Sequence, residues 1–298
     1  MKEDYVKVTH LKRTKYMVAL IHGSNIQRKI REDTSRQNQI YLAEINSKYQ
    51  EWISKINLLK EKTDDDDIEQ RVKDLNDYKD FIDHPKFKKE KGNVDGFTSQ
   101  SKLHSTVMEE FLYHLLSEIP ALKDKALKLG PADAYSNLYF SPKNLDSLET
   151  EPGLTINTKD QDFAISKEIE INVSLNPKKN IKPQKILVPV VSIECKKYLD
   201  KTMYEGFVAT AEKIKQGNPY GLRLIVTEAY DVSKDVAPKS SQIDEIYVLR
   251  KCKRDEAENH LTRNQIYSDV IIDLFRRVEK HLNSVWKNVR IDTGIMIA

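Results

Sequence analysis

Cysteine is scarce in this chain, with only Cys195 and Cys252 among 298 residues. Neither lies in a CxxC pair or a Cys/His cluster, which excludes a disulfide framework and leaves no zinc ligand set. Long apolar runs are missing too. The longest, Ile186 to Val191, falls far short of the ~20 residues that a membrane span needs. Met1-Lys2-Glu3-Asp4 brings no apolar signal-peptide core. The expectation is a soluble, cytoplasmic protein with no membrane partner. Charge of one sign does not dominate either, because 49 basic and 46 acidic residues leave a net charge of +3. Bulk charge is therefore a weak argument for nucleic acid, and placement has to carry that case. There is no internal repeat and no low-complexity segment.

What is present is charge in quantity, 32% of residues against roughly 25% in an average globular chain. That excess suits much helical, solvent-facing surface, and the 39% of hydrophobic residues are grouped and periodic, which argues against disorder. Ile40, Leu42, Ile45, Tyr49, Trp52, Ile53 and Ile56 recur at helical steps. Thr63 and Asp64 to Asp67 open a second helix, with Ile68, Val72, Leu75, Tyr78 and Ile82 on its buried side. Adjacent carboxylates in a first turn complement the helix dipole and fan around the axis, so they read as capping and not as a metal site. His84 to Gly96, with Pro, two Gly and four Lys, is the best linker. It divides the chain into a helical N-terminal lobe (1–95), suited to DNA recognition or dimerisation, and a main domain (96–298).

The main domain opens with a helix over Ser101 to Glu118 and continues through a loop-rich stretch with a short strand at Asn137 to Phe140. From Leu154 the period falls to two. Asp162 to Ile165 and Ile169 to Val173 read as neighbouring strands, and Asn176 to Asn180 as a turn. Ile186 to Cys195 reads as a central strand in which Pro189 marks a bulge. Thr202 and Glu205 have the spacing of a capping box for the next helix, which Gly217-Asn218-Pro219 stops. Leu222 to Glu228 and Glu245 to Leu249 are further strands, and Gln265 to Trp286 a long amphipathic helix. The fold class is α/β with a mixed sheet.

The apolar strand that ends in Glu194-Cys195-Lys196 breaks its own pattern. Alternation puts Glu194 and Lys196 on one face and turns Cys195 into the packing on the other. Asp162 starts an apolar strand upstream, so neighbouring strands would bring its carboxylate to Glu194. Two close carboxylates repel unless a cation sits between them, and hard oxygen ligands suit Mg²⁺. The Cys195 backbone carbonyl is placed as a further ligand. A metal so held would neutralise a scissile phosphate and activate water. Lys196, its pKa depressed by the metal, would orient or deprotonate that water or stabilise the phosphorane.

Asp followed by an apolar strand, then Glu-x-Lys ending the next long strand, resembles the PD-(D/E)xK nuclease superfamily and its αβββαβ core. Gln161 stands where the superfamily has proline, and Asp160 rivals Asp162 for the ligand position. Phe97 to Lys102, Ser105 to Phe111, and Glu194 to Met203 together resemble the Bpu-type family of type II restriction endonucleases. That family cuts double-stranded DNA with Mg²⁺ at short, nearly palindromic sites, and some members work as two different subunits. The resemblance implies a homodimer or a heterodimer with a related subunit, and a cognate DNA methyltransferase as genomic partner. It also implies a further carboxylate on the helix before the sheet, with Glu109 the choice and Glu110 the alternative.

Lys197, Lys201 and Lys102 are candidate phosphate contacts, with Lys213, Lys215 and the linker lysines extending the cleft. His104 and His114 read as core or surface residues, Glu205 as a cap, and the Gln216/Tyr220 spacing as coincidence. No His-Asn-His arrangement points to another nuclease class. Two other functions remain open at this point: a repair or mobile-element nuclease of the same superfamily, and a non-catalytic DNA-binding or assembly subunit.

Overall fold

The structure is a computed structural model that describes residues 21–89, 95–98, 101–123, 125–150, 153–172, 183–232, 240–260 and 262–284. The expected turn at Asn176 to Asn180, Lys91 of the linker and the helix end at Trp286 lie outside the described residues. No described helix is long and apolar enough to cross a membrane.

Three helices come first: α1 (Ile21–Glu32), α2 (Arg36–Leu58) and α3 (Asp65–Ile82). Most apolar residues at helical spacing on α2 and α3 are buried, with Leu42, Ile45, Trp52, Ile68 and Leu75 at 2% exposure or less, but Ile40, read onto the same face, is 48% exposed. Asp64 is the N-cap position of α3, and Asp65, Asp66 and Asp67 occupy its first turn. One of them also anchors the far end of the chain, because Arg276 donates to Asp65 Oδ1 at 2.7 Å and to the Thr63 carbonyl at 2.8 Å.

The described ends of the expected linker are fastened down. Pro85–Phe87 forms a 3-10 turn, Phe87 is fully buried, and the Phe97 N–H donates to the Phe87 carbonyl at 2.8 Å. Helix α4 (Thr106–Leu116) follows, then β1 (Lys128–Phe140), a short α5 (Ser147–Thr150), β2 (Leu154–Ile171) and β3 (Gln184–Leu199). Helix α6 (Lys201–Gly217), β4 (Leu222–Tyr230), β5 (Glu245–Val248), α7 (Arg254–Glu258) and α8 (Ser268–Ser284) complete the described order. The sheet runs β1-β2-β3-β4-β5, antiparallel through β3 and parallel from β3 to β5. The α/β class and the αβββαβ order expected from the sequence are therefore present.

Four local expectations need correction. The two strands read at Asp162 to Ile165 and Ile169 to Val173 are one continuous β2. The polar residues between them pair across the sheet and do not turn, since Glu168 holds Lys128 of β1 on one side and Lys185 of β3 on the other. The short strand at Asn137 to Phe140 is the end of a 13-residue strand. Gly130-Pro131 hides its beginning, and a register shift there absorbs the proline that a regular ladder excludes. The helix read from Ser101 begins at Thr106. Helix α6 is capped by Asp200, whose side chain accepts from the Met203 N–H at 2.8 Å, so Thr202 lies inside the helix. Pro189, by contrast, does sit at a register shift, opposite Ile165 and Ser166.

One apolar core runs through the N-terminal helices, α4, one face of the sheet and α8; a smaller one lies between the other face and α6. Beside the larger core sits a chain of buried ions. Lys79 of α3 donates to Asp83 at 2.9 Å and to Glu228 of β4 at 2.8 Å, and Arg250 holds the other Glu228 oxygen at 2.8 Å. Arg263 reaches Asp83 at 3.0 Å. Such a network resists the loss of any one member, because each removal strands a charge without water.

Burial alone would raise the Glu228 carboxyl, but the Lys79 and Arg250 cations outweigh it and hold the group at about 2. A depressed folded pKa stabilises the fold fully above the ordinary carboxylate range of ~4.3, and the contribution is lost as pH falls towards the folded value. Urea denaturation should therefore find Glu228→Gln weaker than the parent by about 3 kcal/mol at pH 7. The gap should narrow at pH 3, and an equal loss at both pH values would count against the network.

Candidate active site

The site forms where β2 and β3 part company. Their antiparallel ladder ends at Phe163 opposite Ile193, and continuing that register sets Asp162 beside Glu194. Beyond this point the Asp162 carboxylate takes over from the backbone, with Oδ2 accepting from the Cys195 N–H at 2.9 Å and from Lys196 Nζ at 2.6 Å. Lys196 Nζ also lies 3.6 Å from Glu194 Oε2. Alternation along β3 turns the Cys195 thiol into the larger core, while Lys196 stands 5.3 Å over the Phe207 ring of α6. The residues that break the apolar pattern of β3 thus gather where it has left β2 but still pairs with β4.

A cleft of about 540 Å³ opens onto this point, bordered by Glu109, Asp160, Gln161, Asp162, Lys196 and Lys197. Glu194 lies behind its wall, on the α6 side with Gln161 and Ser192. Helix α1 also reaches the cleft through Ile21 and Asn25. No pattern in the residues signals that contribution, which depends on how α1 packs against α4.

The two glutamates of α4 have separate tasks. Glu110 is fully buried and faces away from the cleft; its carboxylate accepts from the N–H groups of His22 and Gly23 at 2.8 and 3.0 Å and from the Tyr49 hydroxyl at 2.7 Å. Burial pushes this carboxyl up, but His114, Tyr49, His22 and the Gly23 amide together bring it below the usual range. Glu109 borders the cleft. Its carboxyl is pushed up to about 7, first by burial and then by the nearby Asp162 charge.

Of the other candidates, Lys102 and Lys197 border the cleft. Lys102 does so with a left-handed backbone (φ 58°) and Lys197 with its ammonium 3.9 Å from Asp83. Lys201 stands apart at the start of α6, exposed and 3.9 Å from Glu205. Asp160 also borders the cleft but pairs across the ribbon with Asp133 of β1, and Asp162 is the carboxylate that meets Lys196. Both His104 and His114 are largely enclosed, beside Asp83 and Glu110. Gln161 makes a contact that sequence reasoning did not anticipate: its amide donates to Glu194 Oε1 at 3.2 Å.

The donor set suits a hard divalent cation. Two carboxylates, Asp162 and Glu194, lie beside the Cys195 backbone, and the oxygen atoms of all three are ligands of the kind Mg²⁺ takes. Glu194 is pushed up to about 7 by burial and by Asp162, which together outweigh the opposing pull of Lys196. Among the described residues no group of three or more His, Cys, Asp or Glu is drawn together as a ready-made metal site. The Lys196 ammonium supplies positive charge there instead. Burial would lower its pKa, but Asp162 foremost and then Glu194 hold it above the ordinary lysine value.

Comparison with known proteins adds to this geometry. The profile of the Bpu10I restriction endonuclease family matches residues 100–259, which include α4, the parted strands and α6. Among curated proteins no sequence matches. Among solved structures the chain is similar to one described as the native BbvCI A2B2 tetramer at low resolution, with a TM-score of 0.74. That likeness spans 92% of this chain and 100% of the other, and at 19% identity it speaks for the fold.

Exchanging the two α4 carboxylates one at a time should separate their tasks. Glu110→Gln should lower thermal stability by about 2 kcal/mol, having lost charged acceptors for three buried donors. Glu109→Gln should leave melting at pH 8 unchanged or raise it, since it removes a carboxylate that its surroundings disfavour. The reverse ranking would reassign the two residues.

Proposed function

Because the chain belongs to the Bpu10I restriction endonuclease family, we propose that it is a Mg²⁺-dependent type II enzyme that cuts double-stranded DNA at a specific short site. The observation that carries this reading is the meeting of Asp162, Glu194 and Lys196 at the point where β2 and β3 part. Carboxylates and an ammonium at the mouth of an open cleft suit a polyanionic substrate whose reacting centre is a phosphorus atom.

Asp162, Glu194 and the Cys195 carbonyl would hold the metal, with Glu109 beside them. When bound, Mg²⁺ neutralises the phosphate and lowers the pKa of water. The chain's own groups do the rest. Lys196 Nζ donates to a phosphate oxygen and stabilises the charge that grows on it in the transition state. With a cation in the ammonium's place at Asp162, Lys196 would lose its carboxylate partner and become easier to deprotonate, which is how it would come to orient or activate the attacking water. Glu109, carried on a neighbouring helix, holds a proton or a cation at the cleft side of Asp162. Lys102 and Lys197 would contact flanking phosphates, and Lys201 a more distant one; such contacts fix register on the duplex without reading bases.

A duplex has two strands, and the described residues of this chain offer one such centre. We therefore infer that it works with a second copy or a related subunit, as an enzyme whose solved relative is an A2B2 tetramer would. The N-terminal helices (21–82) are the part proposed for recognition or dimerisation, supported by α1 reaching the cleft. A cognate DNA methyltransferase encoded nearby belongs with this reading.

Digestion of plasmid DNA of known sequence with Mg²⁺, alone and with any related neighbouring subunit, tests the proposal. Discrete, reproducible fragments are expected. A smear, or cutting at junctions alone, would point to a repair or mobile-element nuclease. Lys196→Ala should cut at least ~10²-fold more slowly while still retarding the same DNA in a gel; full cleavage by that variant would refute the mechanism.

A further inference from the structure

The geometry points to Gln161 as a positioning residue that fixes the Glu194 carboxylate for a divalent cation, a role resting on the nuclease reading above. Gln161 is 5% exposed, and its side-chain amide has two acceptors. Nε2 donates to the Asp160 carbonyl at 2.6 Å and to Glu194 Oε1 at 3.2 Å. The first bond ties the amide to its own strand. The second crosses the gap between β2 and β3 at the place where the backbone ladder has stopped.

The consequence for Glu194 is an assignment of its two oxygens. Oε1 is engaged by Gln161, which leaves Oε2 turned towards Lys196, 3.6 Å away, on the Asp162 side. A glutamate has three rotatable side-chain bonds, so an unrestrained carboxylate spreads over several rotamers. A hydrogen bond to the oxygen that does not face the cation removes most of that freedom before any cation arrives. Gln161 borders the cleft on one side and the small cavity beneath α6 on the other, so it forms the wall between them. No other described side chain hydrogen-bonds to Glu194 Oε1. The residue standing where the superfamily has proline thus supplies a donor that proline lacks.

Gln161→Met keeps an unbranched side chain of similar size and removes the donor; Gln161→Leu does the same with a different shape. Mn²⁺ serves as the probe, its binding to DNA-free protein read by electron paramagnetic resonance. The dissociation constant should rise about tenfold in both variants. The Mg²⁺ concentration for half-maximal cleavage should rise in step, while DNA affinity measured without divalent metal stays within twofold of the parent. Parent-like Mn²⁺ affinity in either folded variant overturns the assignment. Failure of both variants to fold overturns it as well, since Gln161 would then be a structural residue. If the parent itself binds no Mn²⁺ and cuts no DNA, the nuclease reading falls and takes this role with it; if the parent does both and the variants match it, only this role falls.

Discussion

The site depends on one carboxylate standing in for a backbone carbonyl. Where β2 and β3 separate, the Cys195 N–H would be left without an acceptor, and Asp162 Oδ2 provides one. The same oxygen receives the Lys196 ammonium, so a single atom closes the ladder and sets the distance between the charged groups. An unsatisfied amide and an unpaired lysine at a half-buried strand end would each be costly, and the shared bond removes both costs. It also explains how a sheet can open a cleft at its free end without fraying. The strands stop pairing through their backbones but remain joined through side chains.

Behind this point the helical part and the sheet are joined by charge as well as by apolar packing. Lys79 of α3 bridges Asp83 to Glu228 of β4, and Lys197, next to Lys196, faces the same Asp83. The N-terminal helices are thus keyed to the strands that carry the site. A buried network of this kind contributes less net energy than its short distances suggest, because desolvation offsets most of the Coulombic gain. It does penalise any other docking, since a shifted helix would strand charges in a dry interior.

Several of these features were legible in the residues, and for stated reasons. The break of an apolar strand at Glu194 and Lys196 exposed the site, because charge has no place in a packed strand unless something uses it. The spacing of Leu42, Ile45, Trp52 and Ile56 exposed a helix face, and Pro189 its bulge. Other features misled. Ser166-Lys167-Glu168 looked like a break between strands because its partners, Lys128 and Lys185, are remote in sequence. Asp200 and Thr202 both offer a capping oxygen within two residues, and only the local backbone decides which one caps. Glu109 and Glu110 flank one apolar face almost equally.

What the sequence determined by itself was therefore whatever periodicity and composition encode locally: the α/β class, the helix faces and the three residue types of the site. Tertiary structure decided everything that depends on which remote groups meet. It turned Glu109 to the cleft and tied Glu110 to the start of α1, it chose Asp162 over Asp160 for Lys196, and it put Gln161 against Glu194. The physical reason is that a side chain's burial, and with it its charge and task, is set by its neighbours in space, and a one-residue step on a helix or strand exchanges one set of neighbours for another.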